Sequence, residues 1–104
     1  MLKRLNGSAD TGKKIMDNWD DFSYSYRGSD NSTNQIYYKF DWLFGDQSGT
    51  AIICLTPNNK IDQSSTLNCN GKPYGFPRSL GAYNDSSLYD VFARMLDDAG
   101  IEHQ

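Results

Sequence analysis

The sequence predicts an α+β domain: a small antiparallel β-sheet of two hairpins packed against an N-terminal and a C-terminal α-helix. Three observations predict it. An apolar stripe of helical period lies near the C-terminus. A ten-residue run alternates apolar and polar residues in the middle of the chain. An Asn-Gly pair follows, flanked by short arms of strand-like composition. Runs of strands bounded by helices, in the order helix, hairpin, hairpin, helix, give helices packed on an antiparallel sheet.

Taken in chain order, Ile15, Met16, Trp19 and Phe22 suit a helix over about residues 9–21, although Gly12 weakens it. Gly28-Ser29-Asp30-Asn31-Ser32 ends whatever precedes it. From Gln35 to Phe44, Ile36, Tyr38, Phe40, Trp42 and Phe44 alternate with more polar neighbours. A period of two means one buried face and one wetter face. Gly45 to Gly49 reads as a five-residue turn, and Thr50–Thr56 as the returning, β-branched strand. A second hairpin centres on Asn70-Gly71, the favoured pair for a type I′ turn. Its arms are about residues 65–69 and 72–76, with Pro73 and Pro77 limiting the second arm to an edge. Phe76 to Asp85 reads as loop. The last helix covers about residues 87–99: Ser87 and Asp90 give a capping pattern. Leu88, Val91, Phe92, Met95 and Leu96 then form the stripe, and Gly100 takes the left-handed C′ position.

Composition narrows the function classes. The 104 residues suit a single domain, 1–104, with a modest core. Hydrophobic residues at 38% and charged residues at 22% are too apolar for a disordered tail and too polar for a membrane protein. No signal peptide is visible, so a cytoplasmic location is expected, or a secreted or periplasmic one if a leader has been removed. A net charge of -3 argues against general nucleic-acid binding, which needs a basic surface. Glu102 is the sole Glu among 13 acidic residues, and Asn, Ser and Gly are common; these types favour turns and caps. Three Asn-x-Ser/Thr triplets begin at Asn6, Asn31 and Asn84, a number chance accounts for in so Asn- and Ser-rich a chain.

Motifs that could carry chemistry are each incomplete. Gly7 to Lys14 nearly spells a phosphate-binding loop, but Lys14 replaces the hydroxyl that would hold magnesium. Lys72-Pro73-Tyr74-Gly75-Phe76 echoes an RNA-binding aromatic strand, interrupted by proline in an acidic domain. Asp30, Ser32, Asn34 and Asp41 imitate a calcium loop that lacks its glycine and terminal glutamate. Asp17, Asp20 and Asp21 would share one helical face and, with Asp10, make the least implausible carboxylate cluster for metal or acid–base work. A solvated helix start accounts for them more simply. His103 is the single histidine, second from the end, where a frayed terminus is a poor place for a general base. No catalytic residue, metal ligand or cofactor is therefore assigned. Cys54 and Cys69 either pair as a disulfide or stay reduced; Cys54 then packs as a small hydrophobe within an apolar run, and Cys69 sits in a polar turn region.

The aromatic residues remain: 7 Tyr, 5 Phe and 2 Trp. Phe40, Trp42, Phe44, Phe92 and Trp19 suit a core. Tyr24, Tyr26, Tyr37, Tyr74 and Tyr83 lie in polar segments or on the wetter strand face, and Tyr24-Ser25-Tyr26-Arg27 has the composition of a binding hot spot. Tyrosine also commonly fills sheet faces. The expected function is a non-catalytic protein binder with those tyrosines and Arg27 as its contact residues. A small inhibitor or antagonist of another protein, of the toxin-immunity or phage anti-defence type, fits this character. The alternatives are an extracellular structural, pilus or surface-assembly module or sugar binder with a Cys54–Cys69 bridge, and a small metal-dependent enzyme using the Asp10–Asp21 carboxylates. The expected partner is another protein, not nucleic acid or membrane, and the oligomeric state is left open.

Overall fold

The computed structural model describes residues 4–5, 11–69, 72–75 and 87–104. The elements are α1 (Thr11–Asp17), a 3₁₀ turn (Trp19–Asp21), β1 (Phe22–Ser32), β2 (Gln35–Phe44), β3 (Gln47–Leu55), β4 (Thr66–Cys69), β5 (Lys72–Gly75) and α2 (Ser87–Asp98). The strands form one antiparallel sheet in sequential order, β1-β2-β3-β4-β5. The architecture is α+β, with an antiparallel sheet and one helix from each end of the chain.

Alternation along β2 sorts the side chains between two faces. Phe40, Trp42 and Phe44 are buried with Ala51, Ile53 and Leu55 of β3 and Leu67 and Cys69 of β4. The α2 stripe of Leu88, Val91, Phe92, Met95 and Leu96 closes over this layer and is fully buried. From α1, Ile15 joins it. The C-terminal end of α2 forms a Schellman motif: Gly100 has φ 74, its N–H bonds to the Asp97 carbonyl, and Ile101 N–H bonds to the Leu96 carbonyl. Ile101 then packs against the core.

Three expected features differ in detail, and one strand is additional. The N-terminal helix, expected over 9–21, runs from Thr11 to Asp17 and gives way to the 3₁₀ turn; residues 9 and 10 lie outside the described residues. Phe22, counted with that helix, opens an eleven-residue strand that the sequence reading did not expect. Gly28 to Ser32 does not end the preceding element; it continues β1 beyond a bulge between Tyr26 and Gly28. The bulge inserts Arg27 as an extra residue, and Gly28, at φ 127, takes a backbone conformation that favours glycine. The expected five-residue turn is a two-residue one: Phe44 pairs with Gln47, and Gly45 supplies a positive φ of 63 at the first loop position. The second hairpin pairs Cys69 with Lys72 and Thr66 with Gly75, and places Pro73 on an edge strand as expected. Its Asn70-Gly71 turn and the Phe76–Asp85 loop lie outside the described residues.

Side-chain amides and backbone also stitch the N-terminal residues to the sheet. The buried Gln47 accepts a hydrogen bond from the Leu5 N–H and donates to the Leu5 carbonyl at 3.1 Å. It thus mimics a backbone strand pairing and holds Leu5, 3% exposed, in the core.

Candidate protein-binding surface

Burial fades along β2 from one end to the other. Phe44, Trp42 and Phe40 are buried, Tyr38 is half-buried, and Ile36 is 38% exposed, although all five lie on one face. On the neighbouring strand Tyr24 is half-buried and Tyr26 is 45% exposed. Length explains part of the gradient, and the cover is lateral as well as lengthwise: Leu55, paired with Ile36 on the same face, is 3% exposed, so that end is covered over β3 but open over β1 and β2. Ten strand residues span about 33 Å, whereas the twelve-residue α2 spans about 18 Å. The helix is tied to the Phe22 end of β1: the Tyr24 hydroxyl donates to Asp98, and the Arg94 guanidinium lies 4.7 Å over the Trp19 ring. The apolar face of the β1–β2 hairpin therefore runs past its helical cover.

The uncovered corner is built from Tyr26, Tyr38 and Ile36. The Tyr26 ring lies 6.4 Å from Tyr38 and 5.3 Å from Phe40 between centroids, a distance range at which rings pack with mutual attraction. At the same end, a shallow groove of ≈ 350 Å³ runs between the β1–β2 loop, Ile36, Leu55 and Pro57. These are mixed apolar and amide surfaces of the kind that protein interfaces use.

The opposite face of the sheet carries a different chemistry. Arg27 reaches Asp41 at 3.2 Å and Lys39 pairs with Asp30. Leu43 is 50% exposed there, and Asn68 donates to Thr50 and Thr66. Cys54 is also on this face, buried beside Ser65, whose hydroxyl accepts its N–H at 2.9 Å. Burial raises the Cys54 thiol above its ordinary range; Asp62 adds to this, and hydrogen bonding with Ser64 and Tyr37 works against it.

The structure divides the six expected contact residues rather than joining them. Tyr24 and Tyr26 share the helix-side face, but Tyr24 packs on Trp19, Phe22 and Phe40 and bonds to α2. Its burial, and then the Asp98 carboxylate, raise the phenol well above its ordinary range. Arg27 and Tyr37 belong to the opposite face, Arg27 in its Asp41 pair and Tyr37 half-buried with its hydroxyl 3.1 Å from the Gln35 amide oxygen. Tyr74 stands opposite Leu67 in the strand register, and Tyr83 lies outside the described residues. Ile36 and Tyr38 were missed as surface residues because perfect alternation marks them as core. The excess length of the strands over the helix is a partial signal, since it does not say which strand is left open: Leu55 at the same end is buried.

Cys54 and Cys69 are free thiols. The Cys54–Cys69 bridge of the alternative reading does not form, because alternation puts the two residues on opposite faces: Cys69 pairs with Gly49 in the core layer, and Cys54 lies five positions along β3 on the other side. Cys69 is 1% exposed, deep in the core rather than in a polar turn. Asp17 is held by Lys13 at 2.6 Å at the end of α1, while Asp20 and Asp21 fall in the 3₁₀ turn, so the three do not share one helical face. Among the described residues no group of three His, Cys, Asp or Glu side chains is placed to hold a metal. Asp30 and Ser32 of the calcium-like motif lie on β1 and Asp41 on β2. His103 does not fray: its ring Nε2 lies 2.7 Å from Asp97, Gln104 N–H donates to the Asn59 carbonyl, and Tyr89 donates to the Gln104 carbonyl. Among the described residues, no helix is long and apolar enough to cross a membrane. No family model matches the chain, and no curated protein or solved structure is significantly similar to it.

Proposed function

We propose that this chain is a non-catalytic protein-binding domain, of the kind that inhibits or antagonises another protein, and that its partner docks on the Tyr26–Tyr38–Ile36 corner. The observation that carries this reading is the apolar face of the β1–β2 hairpin continuing past its helices, leaving Tyr26 45% and Ile36 38% exposed side by side with Tyr38. Contiguous exposed apolar surface rimmed by polar groups marks interaction sites. Tyrosine gives such a site large contact area with a polar tip. Asn31, Thr33 and Asn34 supply the amide and hydroxyl rim around the adjacent groove.

The test is capture from lysate of the natural host with tagged protein, read by mass spectrometry and then by titration with the purified partner. One stoichiometric partner is expected. Tyr26→Ala and Ile36→Ser each weaken it about tenfold or more, while Leu43→Ser, on the far face, leaves it unchanged. A partner whose affinity ignores both corner substitutions overturns this surface, and the absence of any stoichiometric partner overturns the reading.

A further inference from the structure

We infer that the outer edge of β1 pairs antiparallel with the same edge of a second copy of this chain, joining two five-stranded sheets into one. Among the described residues the sheet has two unequal edges. β5 is four residues long and contains Pro73, which has no N–H to offer a further strand. β1 is eleven residues long and is exposed over most of its length. Long open edges are templates for pairing with another chain.

The charges on β1 specify a second copy and its register. On the helix-free face the strand presents Arg27 and Asp30, which reach Asp41 and Lys39 of β2 respectively. A two-fold axis normal to the sheet, passing between Gly28 and Ser29, sets each Arg27 opposite the partner's Asp30. The cross-strand row then reads Lys39, Asp30, the second copy's Arg27, its Asp41, with signs alternating throughout, and symmetry builds the row twice. On the other face the same register sets each Tyr26 beside Asn31 of the second copy. The bulge is what brings Arg27 and Asp30 to one face despite their odd spacing, and it leaves Gly28 opposite Ser29 as the one pair with mismatched faces. Glycine has no side chain to clash there. The overlapping segment, about residues 25–32, lies beyond Tyr24, whose hydroxyl bonds to the last residue of α2.

This goes beyond the protein-binding reading and is tested on different side chains. Sedimentation of the full chain across a wide concentration range gives a reversible dimer that weakens as salt rises. Arg27→Asp alone and Asp30→Arg alone each set like charges against each other in both rows, and each weakens the dimer about tenfold or more. Mixing the two variant chains restores opposite charges at both sites, so the mixture sediments as a dimer although neither component does. A structural role for either residue would not give that rescue. A wild-type chain that stays monomeric, single variants that dimerise as well as wild type, or a mixture that fails to associate each overturns the inference. Capture of the target through Tyr26 and Ile36 is scored separately, so loss of the dimer and loss of the target are distinguishable.

Discussion

Gly49 is the position where the sheet tolerates no side chain, and Gly49→Ala is the most informative perturbation of the fold. A Cβ built there lies 1.8 Å from the Asn68 carbonyl oxygen and 3.0 Å from Cζ2 of Trp42. Relief requires β4 to withdraw from β3 by more than an ångström. The obstacle is backbone, so no rotamer change relieves it. The withdrawal also strips Trp42 of one of its two acceptors, since its indole N–H is shared between the Thr50 and Asn68 carbonyls at 3.1 and 3.2 Å. Overpacking of this kind destabilises by about 1–3 kcal/mol. Weakening a part-buried hydrogen bond adds up to about 1 kcal/mol. Gly49 and Cys69 are the last pair of the β3–β4 ladder, so fraying caps the total at about 2–4 kcal/mol. The assay is urea unfolding followed by tryptophan fluorescence, where this loss lowers the midpoint by about 2 M. Gly28→Ala is the control: nothing lies within 4 Å of its Cβ, so only the strain of φ 127 remains, about 1 kcal/mol. A change below about 0.5 kcal/mol for Gly49→Ala, or a larger loss at Gly28 than at Gly49, would refute the argument from close approach.

Three further outcomes follow from other contacts. Gln47→Ala leaves the buried N–H and carbonyl of Leu5 without partners and destabilises by about 2–4 kcal/mol in the same denaturation assay. Neither Cys54 nor Cys69 reacts with a thiol reagent in the native state, and both react once the chain is unfolded; rapid labelling of the folded protein would contradict their burial. Tyr24 has a raised pKa in the folded state, so the stability it contributes is complete below the ordinary phenol value of about 10 and declines as pH rises through that range. Tyr24→Phe therefore flattens the alkaline decline in Tm, and an unchanged decline would place its cause elsewhere.

Much of this architecture is local and was readable from the residues. The α2 stripe, its Gly100 cap, the β2 alternation and the proline-bearing edge hairpin each rest on a periodicity or a backbone preference set within a few residues. β1 was hidden for a physical reason. Its Phe22, Tyr24 and Tyr26 alternate, but the bulge at Arg27 breaks the period and Gly28 to Ser32 has turn composition; only pairing along β2 makes that segment a strand. The same holds for the surface. Periodicity states which face a residue belongs to, but whether that face is covered depends on the length and seat of another element, so Ile36 and Tyr38 read as core while half of their face is open. The two cysteines give the converse lesson. Their chemistry was plain in the sequence, but strand register decided it, by placing Cys54 and Cys69 on opposite sides of one sheet where no disulfide can reach.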